Sequence, residues 1–175
     1  SPCLLVPCGS DDERSGTVVD FYVGYCLEAS TLISMSDGTE KQIRDVRVGD
    51  LVLSVDPKTG EEIEDRVVYA DGAENKMFNI LSQWHFSDGR KVETVHRHRF
   101  YNCTLGEFCY IQAWEPGEMA FTNEGGARLV RRVDIERPVQ HCTIFTEKYN
   151  NYSANGILCG NRKSVALEFK KEVSK

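Results

Sequence analysis

CLEASTLISMSDGTEKQIRDVRVGDLVLSVD, from Cys26 to Asp56, decides how this chain is read. A cysteine opens it. The run Thr31–Met35 suits a short strand and stops at Asp37-Gly38, and a Val48-Gly49-Asp50 turn leads into a second strand, Leu51–Val55. Its counterpart is TIFTEKYNNYSANGILCGN, from Thr143 to Asn161, which closes on an asparagine. A thiol can attack a carbonyl carbon, and an asparagine amide can attack the carbonyl of its own residue. A cysteine and an asparagine at opposite ends of one domain-sized stretch point to a chain that cuts its own backbone there.

Between these ends the chain reads as β. Strand candidates are Val67–Tyr69, Met77–Ile80, Tyr110–Trp114, Leu129–Ile135 and Gln140–Phe145. Phe86–Val92 reads as a hairpin, with Asp88-Gly89 supplying the positive-φ turn. Only Lys41–Val46 suggests a helical turn. No long helical periodicity interrupts the stretch, so no large inserted domain is expected. The organisation is therefore a flanking segment 1–25, a domain 26–161 and a second flanking segment 162–175. The last is too short for a core and ends in charge.

Composition narrows the partners. The 175 residues carry a net charge of −6, with basic side chains scattered rather than gathered into a stripe, so nucleic acid is not an expected partner. No apolar run is long enough to span a bilayer, and CLLVPC near the start lacks the form of a signal sequence. A monomer in the cytoplasm, without membrane attachment, is the expectation. Seven cysteines, an odd number, do not suggest a secreted disulfide framework. Cys3, Cys8, Cys103 and Cys109 lack CxxC spacing, so neither a metal nor an organic cofactor is expected.

The two end blocks, with KVETVHRHRF (Lys91 to Phe100) between them, resemble in order and content the blocks of the Hint superfamily. That superfamily comprises inteins, bacterial intein-like domains and the autoprocessing domain of hedgehog proteins. The closest flavour is an intein-like domain carried in a phage-type structural protein. The resemblance runs from Cys26 to Asn161. It implies an all-β, horseshoe-shaped, sandwich-like Hint fold with pseudo-two-fold symmetry and no endonuclease insert.

The resemblance also implies roles. Cys26 would attack the Tyr25 carbonyl, forming a thioester and cutting the chain after Tyr25. His98, in His98-Arg99-Phe100, matches the family histidine that protonates the departing amine. The family threonine of that block falls on Val95. Thr94 lies one residue early and could act only through a bulge. His96 is the alternative histidine, because strand alternation would place it on the same face as His98. Asn161 would cyclise to a succinimide.

Several C-terminal groups depart from the family pattern. Gly160 stands where a histidine is usual, Asn150 where another donor is usual, and Thr143 where an aspartate is common. Arg162 follows Asn161 and has no nucleophile, and Ser164 comes too late to take that place. Conventional splicing is therefore not expected. The substrates would be the chain's own flanks, and water or an external thiol would accept the acyl group. The competing reading is an inert, degenerate Hint scaffold serving as a structural module. A hedgehog-type transfer to a sterol would need more chain than 162–175, and an unrelated β-barrel binding module is the remaining option.

Overall fold

The computed structural model describes residues 26–72 and 77–169. Short strands separated by Gly, Asn and Asp turns give an all-β body. Its strands are β1 (Cys26–Glu28), β2 (Leu32–Ser34), β3 (Glu40–Gln42), β4 (Leu51–Val55), β5 (Glu62–Ala70), β6 (Met77–Phe86) and β7 (Lys91–Val95). They continue with β8 (Arg99–Asn102), β9 (Glu107–Tyr110), β10 (Met119–Thr122), β11 (Gly125–Cys142), β12 (Ile144–Thr146), β13 (Asn151–Ala154) and β14 (Ile157–Gly160). No α-helix and no inserted domain occurs among the described residues.

An eleven-stranded sheet runs β1-β7-β6-β11-β10-β8-β14-β13-β2-β3, with β9 paired to β8. A three-stranded sheet, β12-β5-β4, completes the body. Strand β11 joins the two parts of the large sheet. Its first residues pair with β10, its middle pairs with β6, and His141 and Cys142 pair with β1. The sequence suggested two strands here, Leu129–Ile135 and Gln140–Phe145. One strand forms instead, because Pro138 falls in a register shift between Glu136 and Val139, where a missing N–H breaks no ladder bond.

A second correction concerns Tyr110–Trp114. Strand β9 ends at Tyr110, and Ile111–Ala113 turn into a 3-10 helix. Ile111 and Trp114 are buried there, and the Ile111 N–H donates to the His98 carbonyl at 2.9 Å. The suspected helical turn near Lys41–Val46 is a 3-10 helix at Ile43–Asp45.

Two turns pin the body around the C-terminal block. The β6–β7 hairpin places Gly89 at φ +89°. Asn155 and Gly156, at φ +50° and +83°, connect β13 to β14 in the doubly left-handed turn that matches strand twist. The Asn155 side chain accepts the Leu32 N–H and donates to the Lys91 carbonyl, both at 2.9 Å, so this one turn ties β2 and β7 to the hairpin.

Alternation sends Cys26 and Leu27 to different clusters. Leu27 joins the main core with Ile33, Ile43, Trp84, Phe100 and Tyr152. Cys26 packs with Leu81, Val95 and Val139, with Phe78 at the margin. Each fully buried large apolar side chain contributes about 1.5–3 kcal/mol.

Candidate active site

Cys26 is wholly buried at the head of β1. Antiparallel pairing sets Cys26 opposite Val95 and Leu27 opposite Thr94. Directly opposed side chains share a face, so an isopropyl group, not a hydroxyl, lies against the Cys26 side. The bulge that would have turned Thr94 towards Cys26 is absent, since the register is regular at both residues. Thr94 is buried on the other face, where its hydroxyl accepts a hydrogen bond from the Trp84 indole at 2.9 Å. A fully buried hydroxyl needs such a partner, and Trp84 fixes its orientation.

His96 and His98 do not share a strand face. Strand β7 stops at Val95, and His96 adopts a left-handed φ of +60°, which breaks the alternation. Gln112 clamps this link by donating to the His96 carbonyl and accepting the His98 N–H. The His96 ring packs against Phe78 at a tilt of 52°, with centroids 4.0 Å apart, at the margin of the cluster that holds Cys26. His96 is exposed as a residue, yet partial burial of its ring pushes its pKa below the ordinary histidine value. His98 is wholly buried, tilted against Phe100 at 5.2 Å, with Nδ1 3.1 Å from the Arg99 carbonyl. A proton on Nδ1 satisfies that carbonyl and leaves the lone pair on Nε2.

The C-terminal block reaches the Cys26 neighbourhood through Tyr152. Tyr152 pairs directly with Cys159 across β13 and β14, and Asn151 pairs with Gly160, one residue before Asn161. Burial raises the pKa of the Tyr152 hydroxyl well above the usual phenol value. The Cys159 and Cys26 thiols and the Asp71 carboxylate lie within electrostatic range and add to the effect. Burial likewise pushes the Cys159 thiol well up, with the Tyr152 hydroxyl opposing it in part. Cys159 is thus held as a neutral thiol, a poor acyl acceptor.

Sequence reasoning missed Asp71. Its Oδ1 accepts the N–H of Thr143 at 3.0 Å. A carboxylate from the end of β5 is thereby brought to the block position that lacks an aspartate. No local motif signals this, because the two residues meet only through the β5–β12 pairing.

Asn161 is wholly buried, and each of its polar groups is engaged. Its N–H donates to Ser164 Oγ at 2.8 Å, and its carbonyl accepts the Ser164 N–H at 3.1 Å. Its Oδ1 accepts the Lys163 N–H at 2.8 Å, and its Nδ2 donates to Asn150 Oδ1 at 3.2 Å. Asn150, left-handed at φ +53°, is itself positioned by two 2.8 Å hydrogen bonds with Thr146. A cavity of about 330 Å³ bounded by Leu53, Val55, Glu62, Phe121 and Leu158 includes none of the expected site residues in its walls.

No family profile matches the chain, and no curated protein matches it. Solved structures do. The bacterial intein-like domain from Clostridium thermocellum is 21% identical over 78% of this chain and 99% of its own, with a TM-score of 0.67. The chain has the Hint fold. The gp41-1 intein is likewise 21% identical, covering 78% of this chain and 98% of its own at a TM-score of 0.62. The DnaB intein from Synechocystis sp. PCC 6803 is 14% identical, covering 78% and 97% at a TM-score of 0.66. Similarity at this level establishes the Hint architecture, with Cys26 at the first strand and Asn161 just past the last.

Proposed function

We propose that this Hint domain processes its own chain by an N–S acyl shift at Cys26. The Cys26 sulfur adds to the Tyr25 carbonyl carbon. The C–S bond forms, the Tyr25–Cys26 C–N bond breaks, and the thiol proton ends on the Cys26 α-amine. Water or an external thiol then breaks the C–S bond, releases residues 1–25 and restores the thiol. His98, or His96 at the margin of the Cys26 cluster, takes the thiol proton on its unprotonated ring nitrogen and passes it to the departing amine. The flanking segments are the substrate, the domain acts as a monomer, and no cofactor takes part.

The observation that carries this reading is the meeting of the two end blocks. Leu27, next to Cys26 on β1, packs in one core with Tyr152 and Cys159, on the hairpin that ends at Asn161. The absence of a nucleophile at Arg162 favours cleavage over splicing. Asn161 cyclisation is a slower second reaction. Its Nδ2 adds to its own carbonyl carbon, the bond to Arg162 breaks, and residues 162–175 leave with a free amine.

Purified full-length chain is incubated with dithiothreitol or hydroxylamine and followed by intact mass. The expected result is loss of residues 1–25, abolished by Cys26→Ala. An unchanged mass over long incubation refutes the reading in favour of the inert scaffold.

A further inference from the structure

Among the described residues, 162–169 stay against the domain. Asn161 to Ser164 form a tight turn, closed by the Ser164 N–H on the Asn161 carbonyl and by the Lys163 N–H on Asn161 Oδ1. Ser164 Oγ accepts the Asn161 N–H and donates to the Asn150 carbonyl at 2.5 Å. It lies so close over Gly160 that a Cβ there would meet it at 2.1 Å.

The segment then runs along the surface of the domain. The Val165 N–H donates to the Tyr149 carbonyl at 3.1 Å, and the Glu168 N–H donates to the Pro57 carbonyl at 2.7 Å. Leu167 and Phe169 pack against a cluster of Val55, Tyr101, Phe121 and Leu158. The Phe169 ring stands edge-on to Phe121, with centroids 6.4 Å apart, and covers Gly60.

Asn161 therefore sits in a closed arrangement. Cyclisation requires Nδ2 to approach the carbonyl carbon of its own residue. Here the side-chain oxygen faces the downstream main chain, and Nδ2 is tied to Asn150 on the other side. Turning the amide over breaks both bonds and needs the turn to open.

We propose that residues 164–169 form a clasp that holds the Asn161 amide away from its own carbonyl, with Ser164 as its positioning residue and Phe169 as its anchor. The clasp suppresses C-terminal cleavage until it is released, so the flank regulates its own departure. This inference rests on Asn161 cyclisation as a latent reaction of the domain.

The test uses the full chain and its Ser164→Ala, Phe169→Ala and Ser164→Thr variants, each also carrying Asn161→Ala as a control. Intact mass reads the released C-terminal peptide and a remaining fragment one water lighter than its hydrolysed form. Hydroxylamine-dependent loss of residues 1–25 is read from the same samples. Protection of the buried cysteines from alkylation shows that each variant is folded.

Ser164→Ala removes two hydrogen bonds and is expected to speed cleavage after Asn161 about tenfold. Phe169→Ala is expected to act in the same direction, and Ser164→Thr, which keeps the hydroxyl, to stay near the unsubstituted rate. Asn161→Ala is expected to abolish the reaction throughout. Equal or slower C-terminal cleavage in Ser164→Ala overturns the clasp, as does cleavage that survives Asn161→Ala. If residues 1–25 are lost while no clasp variant cuts after Asn161, the clasp fails and the Cys26 reading stands. If neither junction is cut, both fail.

Discussion

Replacing Asp65 with alanine should cost this domain about 3–6 kcal/mol. Asp65 is a buried carboxylate in β5 that gathers the chain entering the C-terminal block. It accepts the Thr146 hydroxyl at 2.8 Å, the Tyr149 N–H at 2.8 Å, the Lys148 N–H at 3.1 Å and the Arg66 N–H at 3.0 Å. Hydrogen bonds to a charged acceptor contribute about 1.5–3 kcal/mol each, and a donor left unmet in the interior costs a similar amount. Lys148 is exposed, so water replaces the carboxylate at its amide, while Thr146 is enclosed. Counting Thr146 and Tyr149 at full value and the other two at nothing gives the stated range. For a chain of this size a urea m-value near 2 kcal/mol per M is expected, so the midpoint should fall by roughly 1.5–3 M. Asp65→Asn keeps the shape but turns an amide NH₂ towards some of the same donors, and should lose a comparable amount. The assay is equilibrium urea unfolding followed by tryptophan fluorescence, with unchanged m as the check on two-state behaviour. A loss below about 1 kcal/mol in Asp65→Ala would show that the loop is held by something other than this carboxylate.

Gly160→Ala should destabilise by about 1–3 kcal/mol, because the added Cβ lands 2.1 Å from Ser164 Oγ and 3.1 Å from the Asn150 carbonyl oxygen; thermal unfolding reads this. Cys159 should resist alkylation in the native chain at about pH 8.5, where an unperturbed thiol is half ionised, and react once urea is added, as peptide mapping would show. The sign of the linkage follows. Burial raises the folded-state pKa of this acid, so the fold retains a proton that the unfolded chain releases. Stability is therefore lost as pH climbs past the ordinary thiol range, and a Cys159→Ser chain should lose less over the same interval.

The fold was legible because its signals are local. The Asp88-Gly89 and Asn155-Gly156 turns fix hairpins through backbone conformation alone, and Leu51–Val55 was found as a strand with the bounds that β4 has. Misreadings occurred where a distant partner decided the outcome. Tyr110–Trp114 has the apolar content of a strand, but the His98 carbonyl captures the Ile111 N–H and bends the chain into a 3-10 turn. Leu129–Ile135 and Gln140–Phe145 read as separate strands, yet β11 runs on through a register shift between Glu136 and Val139. At the candidate site Cys26, His98 and Asn161 could be picked out because each stands in a recognisable block. Asp71, Tyr152 and Ser164 could not, because each meets its partner across strands or around a turn that no short string encodes.

The two ends of the domain differ in what surrounds the groups that the proposed reactions would use. Cys26 lies in an apolar cluster of Leu81, Val95 and Val139, faced by hydrocarbon rather than by a hydroxyl. That wall excludes bulk water from the sulfur and from a carbonyl brought against it. Asn161 is the reverse case, with main chain and side chain both tied into a turn. A group so satisfied must give up several bonds before it can react, and each raises the barrier by about the free energy that it supplies to the resting state. On this argument an active domain would cut first at the cysteine and only later, if at all, at the asparagine. That order would be set by hydrogen-bond satisfaction around Asn161, and not by the absence of an acyl acceptor at Arg162, because cyclisation does not use that side chain.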